Sequence, residues 1–393
     1  MVTWEQRKVS DYGVIVTGST PSTTQLNYYN GDYLFVSPID IQGNRYVENT
    51  KTTLTKEGFN TGRLVRQGST LFVSIGSTIG KVGQASVDLV TNQQINSIVP
   101  IDDYEDDFVF VSLLKTSALI KSLASNQAVP IVNKTDFGKT KVFVPNSKEQ
   151  IKIGNFFKQF DETITLYESE LKILKLMKKG FLQQLFPENK QLSPNIRFEN
   201  FQEKWQQRKL GEVAKFSKGK GYTKNDLVQY GFKIILYGRM YTKYETVIES
   251  IDTYVENNED CILSFKDDVI MPSSGESSLD IVRASVVPYA GMILGGDINI
   301  IELDKKIMNP IFIVLSISNG TLKKEISNLA QGNSVVHLYN SELKKVNVKS
   351  PVIQEQEIIG NFFKQLDKII TLQEKELENL KNIKSAFLQK MFI

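Results

Sequence analysis

The chain has 393 residues, 41% of them hydrophobic and 23% charged, and its 47 basic and 44 acidic residues leave a net charge of +3. This length and composition are typical of two or three globular domains, and so small a net charge selects no partner by itself. One cysteine, Cys261, and one histidine, His337, exclude a disulfide framework and a Cys/His zinc cluster. The charged N-terminus is unlike a signal peptide, and the longest apolar run, at 311–315, is too short to cross a bilayer. We therefore expect a cytoplasmic protein.

The chain begins with a region of mixed α/β character that extends to about residue 147. Short β-rich stretches, such as residues 70–75 and 95–99, alternate with loops rich in Gly, Ser and Asn, which predicts strands joined by tight connections. Residues 76–82 (GSTIGKV) resemble a phosphate-binding loop, but Ile75 and Val82 stand where that motif needs Gly and Ser or Thr. We expect a turn between strands there.

A long helical segment follows the first region and recurs at the end of the chain. Residues 145–187 and 351–393 align at an offset of 206 with 24 of 43 positions identical. In both copies apolar residues recur at alternating spacings of four and three, which predicts helices packed on a partner over about five heptads. Lys178, Gln373 and Lys384 interrupt the pattern. The alternative is an independent core helix in each of two domains.

Heptads of this length, present twice, favour pairing of the two helices with each other. The residues expected to form the pairing surface are Ile153, Phe157, Phe160, Ile164, Leu171, Leu174, Phe181, Ile359, Phe363, Leu366, Ile370, Leu377, Leu380 and Phe387. A second mixed α/β region lies between the helices and includes strands predicted at 268–272 and 298–302. It shares a rough plan with the first region but little sequence.

Several of these segments together resemble the specificity subunit of type I restriction–modification systems, which recognises DNA. The resemblance rests on residues 179–187 (KGFLQQLFP) and 385–392 (SAFLQKMF), 197–210 (RFENFQEKWQQRKL), 217–222 (SKGKGY), 76–81 (GSTIGK) and 296–300 (GDINI). It covers essentially the whole chain, and the repeated helix is its most specific part. One departure is that the lead-in at 197–201 has no counterpart before Trp4.

The resemblance implies an α+β fold in which two mixed α/β target-recognition domains are joined by two long helices packed as an antiparallel coiled coil. The implied segments are recognition domain 1 (1–147), conserved helix 1 (148–187), a linker (188–203), recognition domain 2 (204–350) and conserved helix 2 (351–393). Each domain would read one half of a split, asymmetric site in double-stranded DNA, and the helices would set the unread gap.

The resemblance also implies the partners. The helices would dock two modification (methyltransferase) subunits, and two restriction (motor-nuclease) subunits would complete the enzyme. S-adenosylmethionine, ATP and Mg²⁺ are expected on those partners, whereas this chain would bind no cofactor or metal and carry no catalytic residue.

Two alternatives of a different class are a single-chain DNA methyltransferase or endonuclease with a cryptic active site, and a coiled-coil scaffold that binds no nucleic acid. Residues 309–312 (NPIF) resemble a methyltransferase loop that lacks one proline, but an Asn N-cap followed by Pro explains them better. The motif beginning at Glu342 lacks the paired Asp of a nuclease core, which favours a helix start. His337 aligns with Ile131 of the other copy, which argues against a general base. The two large globular regions argue against a scaffold.

Neither globular region has the strong positive charge typical of a DNA-binding domain. Residues 1–147 carry 13 basic and 13 acidic side chains, and residues 204–350 carry 19 and 17. The most basic segment is 215–224, with four lysines, no acid and glycines that let the backbone approach phosphate. The DNA-contacting residues expected in the second domain are Lys215, Lys218, Lys220, Tyr222, Lys224, Arg239 and Arg283. Those expected in the first are Arg45, Lys51, Arg63, Arg66, Ser77, Thr78, Lys81, Gln93 and Gln94. Among them Gln93, Gln94, Arg239 and Arg283 are candidates for reading bases.

Overall fold

The computed structural model describes residues 3–124, 129–188 and 191–392. The predicted domains and linker also include residues 1, 2, 125–128, 189, 190 and 393, which lie outside the described residues. The chain forms two compact units. Unit 1 comprises residues 1–170 and 373–393, and unit 2 comprises residues 171–372.

The globular part of unit 1 is a mixed α/β region that is followed by a long helix. Its strands are β1 (Glu5–Lys8), β2 (Gly13–Thr17), β3 (Tyr29–Val36), β4 (Tyr46–Val47), β5 (Thr52–Leu54), β6 (Leu64–Val65), β7 (Thr70–Val73), β8 (Val82–Ala85), β9 (Leu89–Thr91), β10 (Ile95–Pro100) and β11 (Lys141–Val144). Its helices are α1 (Lys56–Thr61), α2 (Asp106–Ser122), α3 (Lys134–Lys139) and the long helix α4 (Ser147–Gln184), which ends in unit 2.

The globular part of unit 2 has the same overall plan. Its strands are β12 (Gln206–Lys209), β13 (Ala214–Lys218), β14 (Leu227–Val228), β15 (Phe232–Ile235), β16 (Tyr254–Val255), β17 (Asp268–Pro272), β18 (Ser274–Gly275), β19 (Ser285–Val287), β20 (Ile293–Leu294), β21 (Ile298–Leu303), β22 (Val336–His337) and β23 (Asn347–Ser350). Its helices are α5 (Leu210–Val213), α6 (Arg239–Thr242), α7 (Pro310–Ser318), α8 (Gly320–Ser327), α9 (Asn340–Leu343) and the long helix α10 (Ile353–Lys390), which ends in unit 1.

The two globular regions share a sheet topology despite their different sequences. The order β2-β10-β7-β8 in the first corresponds to β13-β21-β17-β19 in the second, and in each a central strand pairs antiparallel with both neighbours. Each region has a second sheet with a parallel pair, β3 with β9 and β15 with β20. A two-stranded ribbon, β1–β11 or β12–β23, precedes each long helix. The predicted mixed α/β class is therefore confirmed for both regions.

The long helices α4 and α10 contain 38 residues each, which corresponds to about 57 Å at the ~1.5 Å rise per residue of an α-helix. Each begins after a proline whose carbonyl accepts a hydrogen bond from a glutamine five residues later. Gln150 donates to Pro145 at 3.1 Å, and Gln356 donates to Pro351 at 2.8 Å. None of the helices in the described ranges is long and apolar enough to cross a membrane.

The first turns of each long helix form part of the adjacent domain's core. Ile153 and Phe157 are buried in the same hydrophobic cluster as Phe108, and Ile359 and Phe363 are buried with Phe312. These four residues were predicted as helix-pairing residues and lie in the domain core, where the Phe157 ring also lies 6.4 Å from Phe392 and the Phe363 ring 6.3 Å from Phe186, beyond the end of the opposing helix. The start of each long helix packs closely on the first turn of another helix: Gly154 lies against Phe108 at the start of α2, and Gly360 lies against Ile311 at the start of α7.

The lead-in before Trp205, the departure from the repeat, is anchored on α10. The Arg197 guanidinium donates to both carboxylate oxygens of Glu355, at 2.9 and 2.5 Å, and the Glu355 side chain is only 1% exposed. Phe198 packs beside Phe362. The segment therefore attaches the linker to the start of the second long helix.

Candidate nucleic-acid interface

Three loops meet at one corner of the first domain. Gly18 follows β2, and its amide donates to the Ile95 carbonyl at 3.1 Å. A Cβ at Gly18 would lie 2.2 Å from the carbonyl oxygens of Thr91 and Asn92, so only glycine permits this approach. Thr20 then donates to the Gln93 side chain at 2.7 Å. The loop after β2 is thereby held against the turn that contains Gln93 and Gln94.

The same arrangement recurs in the second domain. Gly219 follows β13, and its amide donates to the Ile298 carbonyl at 2.9 Å. A Cβ there would lie 2.0 Å from the Gly295 carbonyl oxygen. The Gly296 amide donates to Gly221 at 2.6 Å. Equivalent glycines thus close equivalent loops, although the neighbouring side chains differ.

The loops that follow β7 and β17 complete the two corners. In the first domain the Ser74 amide donates to Gln94 at 2.8 Å, and the Ser74 carbonyl accepts from Val132 at 2.9 Å. In the second, the Ser273 amide donates to Asp297 at 2.8 Å, and its carbonyl accepts from Leu338 at 3.0 Å. We call these loops, residues 18–20, 74–80 and 92–94, and residues 219–222, 273–275 and 295–297, the recognition corners of domains 1 and 2.

The recognition corner of domain 2 carries the predicted basic segment. Lys215, Lys218 and Lys224 are exposed. Lys220 forms an ion pair with Asp260 at 2.5 Å, with both side chains exposed. Tyr222 has a left-handed backbone, with φ at 52°, next to Gly221 at 61°. Side chains other than glycine rarely adopt this conformation, and such strain is concentrated at functional sites.

The structure contradicts Arg45 as a DNA contact. Its side chain is 1% exposed because two carboxylates and an amide surround the guanidinium. Nη2 donates to Asp107 at 2.5 Å, Nη1 to Asp161 at 3.2 Å and Nε to Gln84 at 2.7 Å. Phe110 packs against the guanidinium face, with 4.6 Å between the guanidinium carbon and the ring centroid. All three guanidinium nitrogens of Arg45 therefore donate to groups inside the protein.

Arg239 was predicted to read bases, and the structure contradicts that role as well. Its side chain is 8% exposed, and it donates to Glu245 and Asp252 at 2.7 Å each. Arg66 donates to both oxygens of Asp106 at 2.7 Å, and Arg283 donates to Asp280 at 2.8 Å. Arg66 and Arg283 keep 42% and 29% of their side chains exposed and stay predictions.

The other candidates of the first domain lie at or near the surface and also stay predictions. Arg63 donates to the Thr17 carbonyl at 2.8 Å beside the recognition corner, and Lys81 donates to the Ile41 carbonyl at 3.0 Å. Lys51, Ser77 and Gln93 are exposed, whereas Thr78 and Gln94 are half-buried. The predicted turn at 76–82 does connect β7 to β8.

Exposed aromatic residues in the second domain were not selected from the sequence. Tyr230, Phe232 and Phe265 are 79%, 48% and 67% exposed. Tyr230 and Phe232 flank Gly231 at the start of β15. Aromatic side chains beside glycine in an otherwise polar loop are the signal that could have selected these two residues.

The motifs that resemble catalytic sites have structural roles. Asn309 caps α7, and its side-chain oxygen accepts from the amides of Ile311 and Phe312 at 3.0 and 3.1 Å. Glu342 lies in the first turn of α9, as predicted for a helix start. His337 lies in β22 opposite Ser274. Within 3–124, 129–188 and 191–392, no group of three or more His, Cys, Asp or Glu could hold a metal ion.

The two long helices pack antiparallel within each unit, and equivalent aromatic pairs form the contact. In unit 1 the rings of Phe156 and Phe387 meet edge-on, with centroids 5.1 Å apart. In unit 2 Phe362 and Phe181 meet in the same way at 5.1 Å. The two pairs are related by the repeat, because Phe156 lies 206 residues before Phe362 and Phe181 lies 206 residues before Phe387. Phe156 and Phe362 were missed because they lie next to the heptad positions, although their identity across the repeat was a signal.

The charged and polar residues that interrupt the heptads also form contacts between the helices. Lys384 of α10 pairs with Asp161 of α4, and at the equivalent place in unit 2 Lys178 pairs with Asp367. Gln373 donates to Glu170 at 2.8 Å. These polar contacts fix which residues face each other, because a shifted register would leave a partly buried charge unpaired.

Comparison with known proteins agrees with this architecture. Residues 1–176 and 202–382 match the family described as the type I restriction modification DNA specificity domain. The chain therefore belongs to that family, and the resemblance predicted from the repeated helix and its flanking motifs is confirmed.

Individual relatives and a solved structure agree with the match. The chain is 25% identical to the type I restriction enzyme MjaIX specificity subunit of Methanocaldococcus jannaschii, over 99% of this chain and 92% of the relative. Over 38% of this chain and 33% of the relative, it is 33% identical to the HindI specificity subunit of Haemophilus influenzae. The fold matches the crystal structure of a type I S subunit from M. genitalium with a TM-score of 0.69 and 17% identity, covering 100% and 96% of the two chains.

Proposed function

We propose that this chain is the DNA-recognition subunit of a type I restriction–modification complex and that each globular domain reads one half of a split, asymmetric site. The observation that carries the proposal is the recognition corner, which is built twice on the same backbone plan. Gly18 and Gly219 hold equivalent loops in place, but one corner presents Thr20 and Gln93 and the other presents Lys220 beside the half-buried Tyr222. Equivalent scaffolds with different side chains suit two domains that read different bases.

The long helices would set the unread gap and dock the modification subunits. Their antiparallel packing gives each unit a fixed attachment, which supports a spacer role. In unit 2, Ile173, Leu176, Met177, Ile369 and Leu372 are 45–58% exposed on these helices. Apolar side chains left exposed along a helix are typical of a surface that binds another protein. We assign these five positions to a modification subunit.

The chemistry would belong to the partners. This chain would recognise the DNA sequence, whereas the modification subunits would bind S-adenosylmethionine and the restriction subunits would use ATP and Mg²⁺. The relatives are described as specificity subunits of type I restriction enzymes, which supports a recognition role here.

Methylation mapping tests the proposal directly. Genomic adenine methylation would be mapped in cells that express the neighbouring modification subunit with and without this chain. We expect a split motif that appears only when the chain is present. Unchanged methylation, with both proteins expressed and soluble, would contradict the proposal and favour the scaffold alternative.

Variants in the two recognition corners then assign the half-sites. Gln93→Ala in the first domain should alter one half of the methylated motif, and Tyr222→Ala in the second should alter only the other half. If either variant changed both halves, the assignment of one half-site to each domain would be wrong.

A further inference from the structure

The basic segment of domain 2 faces an acidic segment of the same domain. Residues 215–224 contain four lysines and no acid, whereas residues 256–260 (ENNED) contain three acids in five exposed positions. The two segments are in contact, because the Tyr222 hydroxyl donates to the backbone and side-chain oxygens of Asn257 at 2.9 and 3.1 Å. An acidic segment is thus fixed beside the lysines that are expected to bind phosphate.

One ion pair joins the two segments. Lys220 Nζ lies 2.5 Å from Asp260 Oδ1, and the two side chains are 53% and 82% exposed. A pair this exposed contributes little to stability, because water solvates both partners and salt screens them. The pair can therefore open whenever another anion competes for the lysine.

The local electrostatics agree with this arrangement. The pKa of Tyr222 is raised, first by desolvation and then by the neighbouring groups Cys261, Glu259, Asp226 and Asp260, in that order. Glu259 and Asp260 belong to the acidic segment, so anionic charge is concentrated beside the tyrosine of the basic segment. Asp260 itself has a left-handed backbone, with φ at 50°.

We infer that Asp260 is a built-in competitor for DNA phosphate. In the free chain its carboxylate occupies Lys220, and a phosphodiester group of duplex DNA takes its place on binding. Asp260 thereby weakens attachment to DNA of every sequence and leaves discrimination to the residues that touch bases. The inference rests on the proposed function, because it assigns a role to the recognition corner in DNA binding.

The test measures binding of the full chain, assembled with its modification subunit, to a fluorescent duplex that lacks the methylated motif. Asp260→Asn removes the charge and keeps the backbone, because Asn adopts left-handed conformations readily. We expect Asp260→Asn to tighten binding about two- to five-fold, the equilibrium equivalent of one exposed ion pair. In a chain that also carries Lys220→Ala, Asp260→Asn should change the logarithm of the affinity by less than half as much as it does alone.

A matched control separates the ion pair from a general charge effect. Asp267 also has a left-handed backbone, with φ at 68°, and pairs with Lys305 at 3.1 Å outside the basic segment. Asp267→Asn should leave affinity within experimental error of the unmodified protein.

Three outcomes overturn the inference: weaker or unchanged binding by Asp260→Asn, an equal gain in the Lys220→Ala background, and an equal gain with Asp267→Asn. If the unmodified complex binds neither this duplex nor one that carries the methylated motif, the proposed function itself fails. That result is distinguishable from the other three because it precedes any comparison of variants.

Discussion

The two units attach their globular domains to the same helix position with different chemistry. Asp161 on α4 and Asp367 on α10 are equivalent in the repeat, and each pairs with a lysine of the opposing helix. In unit 1 the remaining oxygen of Asp161 accepts from Arg45 at 3.2 Å. In unit 2 the remaining oxygen of Asp367 accepts from the Thr246 hydroxyl at 3.0 Å. The repeat therefore preserves the contact between helices, whereas each domain supplies its own partner for the shared carboxylate.

The two attachments differ in their dependence on charge. Arg45 is almost fully buried and also pairs with Asp107, so in unit 1 two buried carboxylates share one buried cation. Thr246 contributes a single neutral donor, and the Asp367 side chain keeps 28% exposure to solvent. Domain 2 contacts the helix through a hydroxyl, whereas domain 1 contacts it through a buried cation. Substitution of the contacting residue should therefore lower the stability of unit 2 less than that of unit 1.

The largest expected effect tests whether each long helix is part of one unit's core. Phe157→Asp should unfold unit 1, and Phe363→Asp should unfold unit 2, because both rings are fully buried. Truncating a buried phenylalanine costs about 3–5 kcal/mol, and an unpaired buried carboxylate adds to that cost. Hydrogen exchange resolved by residue should show loss of protection in the affected unit.

The controls for this prediction are Gln159→Asp and Gln365→Asp, which add the same charge at exposed, equivalent positions of the two helices. They should preserve protection and assembly. The contradicting result comes from a chain with both Phe157→Asp and Phe363→Asp. If that chain still forms a DNA-binding complex with its modification subunits, the two long helices do not hold the domains in place.

A second test removes the domain's partner for the shared carboxylate. Arg45→Met should cost unit 1 about 3–5 kcal/mol, because Asp107 loses its closest cation in a buried site. Thr246→Val should cost unit 2 only about 0.5–1.5 kcal/mol, the range for one hydrogen bond. Urea titration followed by hydrogen exchange in each unit measures both values, and Arg208→Met at an exposed strand position is the control. Equal costs would mean that the buried network adds no dependence on charge.

Much of the arrangement of the two long helices could be predicted from the sequence because the helix sequence occurs twice. The offset of 206 identifies equivalent residues, and the spacing of apolar residues predicts both helices and their pairing. The same pattern could not predict that Lys178 and Lys384 form ion pairs, because the opposing residue depends on the register between helices. From the sequence, these lysines were only interruptions of the heptads.

The candidate DNA-contacting residues were less predictable than the paired long helices. Arg45 was selected as a DNA contact because it is a cation in a loop, yet its partners Asp107 and Asp161 lie 62 and 116 positions away. Only the fold brings these charges together. The recognition corners depend on the backbone approach at Gly18 and Gly219, and no local pattern distinguishes these glycines from those in ordinary turns.

A third test asks whether the two interhelical ion pairs are equivalent in energy. Without Lys384, Asp161 still has Arg45, so Lys384→Gln should cost less than about 1 kcal/mol. Without Lys178, Asp367 keeps the neutral Thr246 hydroxyl as a donor in place of a cation, so Lys178→Gln should cost about 1–2 kcal/mol. A double-mutant cycle sharpens the difference, because Lys384→Gln should become more costly once Arg45 is replaced by Met. Equal costs for the two single variants would contradict the proposed difference between units.

The smallest expected effect compares the recognition corners in DNA binding. Lys218→Ala with Lys220→Ala should weaken binding to all duplexes alike and reduce the slope of log affinity against log salt by about one to two, since each phosphate contact contributes about 0.9. Gln93→Ala in domain 1 removes no charge and should leave that slope unchanged. The measurement is fluorescence anisotropy across a salt series, with duplexes that do and do not carry the methylated motif. If the double lysine variant changed the preferred sequence instead of the slope, these lysines would read bases, and the corners would differ in which bases they read. If the slope fell as predicted, domain 2 would supply electrostatic attachment that the uncharged Thr20 and Gln93 side chains of domain 1 do not provide.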